Sequence, residues 1–257
     1  MIGCIIQARM GSSRLPGKVL MESDDGRPLL YHVINQLQYC TKVKNLVIAT
    51  TTNQEDDKIE KFANNNSVNI FRGKEKDVLD RYFQCAKKHS FSTIVRITAD
   101  CPLIDPQIVD NVIEKFFSGS YDYATNTLIR TFPIGTDVEV FSFSALERTW
   151  KHAELPSERE HVTPYIRKSG NFKIVNVEND TNISELRLTV DRTEDVKLIK
   201  EILNNISTSP IYLENVLELF SRKPELIKIN NHINHNEGFN KSLKEDQEFI
   251  KKREKNH

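Results

Sequence analysis

The chain has 257 residues, enough for one large domain or two small ones with a substantial buried core. Lysine plus arginine equals aspartate plus glutamate at 36 each, which excludes the basic excess of a general nucleic-acid binder. The opening run MIGCIIQARM is too short in apolar residues for a signal peptide, and no segment is apolar for long enough to span a bilayer; a cytoplasmic protein without membrane or nucleic-acid partners is expected.

In chain order, IGCIIQ (2–7), NLVIAT (45–50), VNIF (68–71) and TIVRIT (93–98) read as buried strands rich in Ile and Val. Between them, PLLYHVINQLQYC places Leu30, Val33, Ile34 and Leu37 at helical spacing, with Pro28 suited to a helix start. DDKIEKFANN and EKDVLDRYFQCAKK are further helices, the latter aligning Val78, Tyr82 and Cys85 or Ala86. Such alternation predicts a parallel sheet with helices on both faces. In the second half, YDYAT (121–125), DVEVF (137–141), FKIVNV (172–177) and LRLTV (186–190) read as strands with longer connections, beside a helix in FSALERTWKHAE and an amphipathic helix over 194–204. No internal repeat is present. Domain boundaries follow: a body over 1–229, and a polar segment over 230–257 whose end is a short helix or a frayed tail. Cys4, Cys40, Cys85 and Cys101 lack C-x-x-C spacing and lie among apolar neighbours, so buried thiols are expected rather than zinc or disulfides. The pair of histidines in NHINH (231–235) has no completing ligand and reads as solvated.

The stretch ARMGSSRLPGKV (8–19) follows the first strand and precedes a helix, where open α/β sheets bind ligands. It is not a P-loop: five residues separate Gly11 from Gly17-Lys18, Val19 replaces the Ser or Thr, and Pro16 removes a donor. Gly11, Ser12 and Ser13 nevertheless allow amides to converge on phosphate oxygens, and Arg9, Arg14 and Lys18 supply three positive charges. A solvated basic turn is the plain alternative.

QARMGSSRLPGKVL closely resembles the signature loop of the sugar-acid cytidylyltransferases, which include the synthetases of CMP-Kdo and CMP-sialic acid, and resembles most the branch named after the spore coat polysaccharide biosynthesis protein SpsF. FRGKEKDVLDRYFQCAK, VRITADCPLIDP, YDYATNTLIRTFPIGTDVEVFS, SEREHVTPYI and LRLTVDRTEDV are similar to blocks of that branch, in order, over roughly residues 2 to 205. The resemblance implies a three-layer α/β/α nucleotide-diphospho-sugar transferase fold of GT-A-like type with a mostly parallel mixed sheet. It implies CTP as substrate, held by Gln7, Ala8, Arg9, Met10, Gly11, Ser12, Ser13, Arg14, Lys18, Thr50, Thr51, Arg72, Arg81, Thr98 and Ala99. It implies magnesium or manganese on Asp100 and Asp191, with Arg14, Lys18 and Asp100 as the catalytic set, and a homodimer whose contact involves residues 121–180.

The carboxylates carry their own weight of argument. Nucleotidyl transfer needs a divalent ion across phosphate oxygens, and magnesium takes one or two protein carboxylates. Asp100 and Asp191 each end a strand and precede a helix, but helix N-capping accounts for the same placement, and Asp195 or Asp105 stands near enough to replace Asp191. Asp137 and Glu139 share a strand face in TDVEVF, which suits an acceptor pocket, a second metal or a plain solvent face. Glu160 and His161 are further acceptor candidates, His161 as a base or a structural group, and Arg187 and Arg130 are candidate anchors for an anion. Read without the family, Arg81 is simply an i,i+4 partner of Asp77.

The expected reaction is transfer of CMP from CTP to an acidic sugar or phosphate-bearing acceptor in surface glycan synthesis, with release of pyrophosphate. Alternatives are a GT-A-type glycosyltransferase, for which the D-x-E of TDVEV is suggestive, a nucleotidyltransferase with another base or a non-sugar acceptor, and a non-catalytic nucleotide-binding module.

Overall fold

The run IGCIIQ forms strand β1 (Ile2–Gln7), with its four middle residues buried, as befits a central parallel strand covered on both faces. In the computed structural model, which describes residues 1–234 and 237–254, six more strands join it. They are β2 (Leu46–Thr51), β3 (Asn69–Gly73), β4 (Thr93–Thr98), β5 (Tyr123–Thr125), β6 (Glu139–Ser142) and β7 (Ile174–Asn176), in the order β3-β2-β1-β4-β6-β5-β7. The first four run parallel, β6 lies antiparallel to β4 and β5, and β7 runs parallel to β5.

Helices cover both faces. On one, α1 (Leu29–Gln38), α2 (Asp57–Asn65) and α4 (Pro106–Phe117) bury Leu30, Val33, Ile59, Val109 and Val112 against Cys4, Ile6, Ile48, Val95 and Ile97. On the other, α3 (Val78–Lys88), α5 (Phe143–His152) and α7 (Pro164–Lys168) bury Val78, Tyr82, Leu146 and Ile166 against Ile5, Val47, Ile94 and Phe141. The alternation of side chains along each strand feeds both cores at once, giving the three-layer α/β/α fold expected. Truncating one such side chain, Leu30→Ala, removes fully buried apolar surface and costs about 3 kcal/mol. A third cluster joins α8 (Thr193–Asn205) and α9 (Leu213–Arg222) to Leu29, Leu186, Leu188 and Val190.

Two expectations change, and one left open between helix and frayed tail is decided over the described residues. LRLTV is not a sheet strand: it makes a single bridge, Ile134 to Arg187. Gly135 explains why the chain can approach there, because at φ 102° a Cβ on it would lie 2.4 Å from the Leu188 carbonyl carbon. The strands read at 121–125, 137–141 and 172–177 shorten to the paired residues of β5, β6 and β7. The polar end is not frayed over its described part but forms α10 (Glu237–Glu254), packed on the short helix α6 (Pro156–His161). Helix α9, to which the pattern reading assigned nothing, buries Val216, Leu219 and Phe220 at helical spacing. The four thiols are free and buried. In NHINH, His232 is exposed, while His235 lies outside the described residues.

Candidate active site

The chain leaves β1 at the carboxyl edge of the sheet and closes a loop on itself. The Met10 carbonyl accepts from Ser12 N and Gly17 N, both at 2.8 Å. Gly17 has φ 73°, a left-handed conformation that penalises a Cβ, and a 3-10 turn follows over Lys18–Leu20. Asp56, wholly buried, ties the loop to β2 by accepting from Met10 N at 2.7 Å, Thr51 N at 3.2 Å and the Thr51 hydroxyl.

The turn aims Lys18 at the ends of two other segments. Its Nζ donates to Asp100 Oδ2 (2.7 Å), Asp191 Oδ1 (2.8 Å) and the Val190 carbonyl (2.7 Å). Asp100 follows β4; Asp191 ends the extended segment 186–190, which is docked on the Asp100 turn by Val190 N to Asp100 O (2.8 Å). Arg14 donates to the same Asp191 oxygen. Arg187 braces the assembly from below, forked on Asp195 at 2.8 and 2.9 Å and reaching Asp191 Oδ2 at 3.3 Å. Asp195 also caps α8, accepting from Asp191 N and Arg192 N. Burial alone would lower Lys18, but Asp100 and Asp191 raise it above its ordinary value. Burial would likewise raise both carboxyls, and Lys18 holds both below the usual carboxylate range, helped at Asp191 by Arg14.

Of these groups, Arg14, Lys18 and Asp100 open on a cleft of about 800 Å³, whereas Asp191, Arg187 and Asp195 are not among its lining residues. Of the residues named from sequence, Gln7, Arg9, Ser12, Ser13, Arg14, Lys18, Thr98, Ala99, Asp100, Glu160 and His161 line it. Arg9 pairs with Glu160 at 3.1 Å. His161 Nε2 meets the Ser242 hydroxyl at 2.9 Å, so α10 contributes to the same cavity. Burial, reinforced by the charge of Arg96, holds the His161 imidazole down at about 4, so it is neutral at pH 7.

The rest stand back from the cleft. Ala8, Thr50 and Thr51 are buried, Met10 packs against the sheet's core, and Gly11 lies beside Glu55. Arg72 holds the turn after β2 through Thr51 O, Asn53 O and Glu60. Arg81 is fully buried; it donates to Lys74 O at 3.1 Å, and its Nε and one terminal nitrogen have no partner among the described residues. Asp137 is forked on Arg130 at 2.6 and 2.8 Å. Glu139 is buried beneath the cleft, where it takes Arg96, Arg167, Tyr123 and Thr163. Asp105 caps α4, accepting from Gln107 N at 2.7 Å.

Sequence reasoning missed Arg96, Arg159 and Lys76 as lining residues, and Ser242 and Glu245 from α10. Arg96 had a signal, a charge in an otherwise apolar strand; α10 had none, being polar nearly all round. Among the described residues no group of three or more His, Cys, Asp or Glu side chains forms a metal cage. Asp100 and Asp191 nevertheless offer hard carboxylate oxygens converging on one cation, which fits magnesium with its preference for few protein ligands.

Fold and site together define a nucleotidyltransferase. Residues 3–237 match the model of a family described as cytidylyltransferase. The chain is 34% identical to the spore coat polysaccharide biosynthesis protein SpsF of Bacillus subtilis over 229 residues, 86% of this chain and 94% of that one. A cytidylyltransferase structure from Leptospira borgpetersenii superposes with a TM-score of 0.86 at 36% identity, covering 91% of this chain and 99% of that one. A CMP-2-keto-3-deoxy-manno-octonic acid synthetase complexed with CTP shares the fold, with a TM-score of 0.61 at 16% identity, covering 79% and 98%. The chain belongs to the cytidylyltransferase family, and CTP is its nucleotide. No described helix is long and apolar enough to cross a membrane.

Proposed function

We propose that this enzyme transfers CMP from CTP to an acidic sugar or a phosphate-bearing acceptor of surface glycan synthesis, releasing pyrophosphate, and that it requires magnesium. The observation that carries the reading is the Lys18 ammonium held between Asp100 and Asp191 at the mouth of the loop. An acceptor oxygen attacks the α-phosphorus of CTP while the bond to pyrophosphate breaks in line, and the acceptor hydroxyl proton leaves to solvent. Lys18 and Arg14 turn from their aspartates to the β- and γ-phosphates and stabilise the charge of the leaving group. The amides of Gly11 and Ser13 complete the phosphate contacts, since Ser12 N is engaged within the loop. Asp100 and Asp191, released from Lys18, would hold magnesium, which when bound neutralises charge on the phosphates. Positioning and electrostatics do the catalysis, so no covalent enzyme intermediate is needed. A His161 held at about 4 is a weak base at pH 7, which favours a positioning role for it.

The glycosyltransferase alternative loses its support here, because the D-x-E of TDVEV has Asp137 engaged by Arg130 and Glu139 buried among arginines. The homodimer remains part of the proposal, with residues 121–180 as its contact. The test is incubation with magnesium and each NTP against a panel of sugar acids and sugar phosphates, reading pyrophosphate. Release from CTP with one acceptor class supports the reading; no release from CTP, or release only from a nucleotide sugar, refutes it.

A further inference from the structure

Arg96 lies on β4, two residues before Thr98 and four before Asp100, so its side chain shares a strand face with Thr98 and lines the same cleft. A guanidinium carries five N–H donors in a fixed fork. Here one terminal nitrogen donates to Glu139, the other reaches Gln7 Oε1 at a long 3.3 Å, and Nε has no acceptor among the described residues. Glu139 cannot compensate Arg96 alone. Its Oε1 already accepts from Arg167, Tyr123 and Thr163, each at 2.5 Å. One carboxylate therefore serves two guanidiniums, and a positive charge is left over on a half-buried wall. Of the other acids lining the cleft, Glu160 is paired with Arg9 and meets Arg96 only as a neighbouring charge, and Glu154 is paired with Arg253. The Tyr82 ring, 5.7 Å from the guanidinium centre, backs its plane. Donors fixed before a ligand arrives are what strong anion recognition requires.

We propose that Arg96 is the anchor for the anionic group of the acceptor, a carboxylate or a phosphate, and that Glu139 and Tyr82 position it. The inference rests on the transfer reading above, because it assigns the acceptor to this end of the cleft and CTP to the loop. Acidic acceptors bind by a charge-assisted fork, neutral sugars of the same shape do not, and Glu139 acts through Arg96 rather than on the acceptor.

The test is a titration of the full-length protein with acetate and, separately, inorganic phosphate, with and without saturating CTP, observed through ¹⁵N-labelled arginine Nε–H signals. The Arg96 signal is identified by its loss in Arg96→Lys. It is expected to shift saturably, and the anion that saturates it at lower concentration tells carboxylate from phosphate. A signal that stays still with both anions, in both conditions, overturns the proposal. Failure of CTP to bind would sink the transfer reading instead, while the CTP-free titration still decides on Arg96. In turnover, Arg96→Gln is expected to raise KM for the acceptor by about tenfold or more, the loss of a charged hydrogen bond, with KM for CTP unchanged. Equal rises in both, or in neither, count against the anchor.

Discussion

At the loop end of the cleft three cations, Lys18, Arg14 and Arg187, meet three carboxylates, Asp100, Asp191 and Asp195, whereas at the far end Arg96 and Arg167 share Glu139 alone. The balanced end can trade partners: a triphosphate takes the cations while the freed carboxylates turn to a metal. The unbalanced end holds its guanidiniums in place through Glu139, Gln7, Tyr123 and Thr127, yet supplies only one carboxylate for their two charges. Charge balance thus separates a site that rearranges on binding from one that waits in place.

The comparison is broken most forcefully at Lys18. Replacing it by Ala leaves Asp100 without its counter-charge beside an Asp191 held only by Arg14 and Arg187, and removes a stabiliser of the leaving group, so pyrophosphate release should fall by about a thousandfold. Steady-state assays at saturating CTP check this, and near-normal turnover would place the chemistry elsewhere. Next comes Glu139→Ala, which leaves two half-buried guanidiniums unpaired and should lower stability by about 3 kcal/mol in urea unfolding. Asp137→Ala, which breaks a more exposed fork, should cost about 1 kcal/mol or less in the same measurement. If the two variants unfold alike, Glu139 is not the keystone of the far end.

A smaller effect comes from pH. Buried His161 titrates at about 4 in the fold, against 6.5 for the free side chain. The unfolded chain therefore takes up its proton first, and the stability due to the neutral imidazole, full above 6.5, is lost as the pH falls from there toward 4. Asp191 and Glu139, depressed in the fold, act lower, losing their contribution only below the ordinary carboxylate range. His32 and His89 are also lowered by burial, so His161→Gln should flatten the slope without abolishing it. Urea midpoints at pH 7.5 and 5 measure the slope, and an identical slope in variant and parent would show that His161 is not its source. Least is expected of Asp246→Ala, which deletes the acceptor for Ser157 N and should cost about 1 kcal/mol. Faster amide exchange confined to α10 and α6 is the sign to look for, and unchanged exchange would show that this contact does not hold α10 on α6.

The parallel half of the fold was legible because each strand is an apolar run bounded by turns and each helix buries one stripe. LRLTV misled the reading because its apolar residues face α8 and α9 rather than a neighbouring strand, and periodicity reports burial without naming the partner. The place of the loop after β1 was legible from residue type and spacing, while Asp100 and Asp191 were singled out by the family resemblance, since residue type alone left capping and Asp105 or Asp195 open. Glu139 and Arg187 were read as reaching a ligand because a sequence shows charge but not what already neutralises it. Arg96 was passed over for the opposite reason: strand assignment rewarded its neighbours and ignored the one residue that did not belong among them.

Helix α10 is fastened along a wet seam. Its buried side chains, among those described, are Ser242 and Asp246, a hydroxyl and a carboxylate one turn apart, with Arg253 and Glu154 closing the far end, while Phe249 and Ile250 are 37% and 44% exposed. Where its side chains are described, the helix is fastened to the cavity wall chiefly by polar contacts, the kind that water competes for when a segment opens locally.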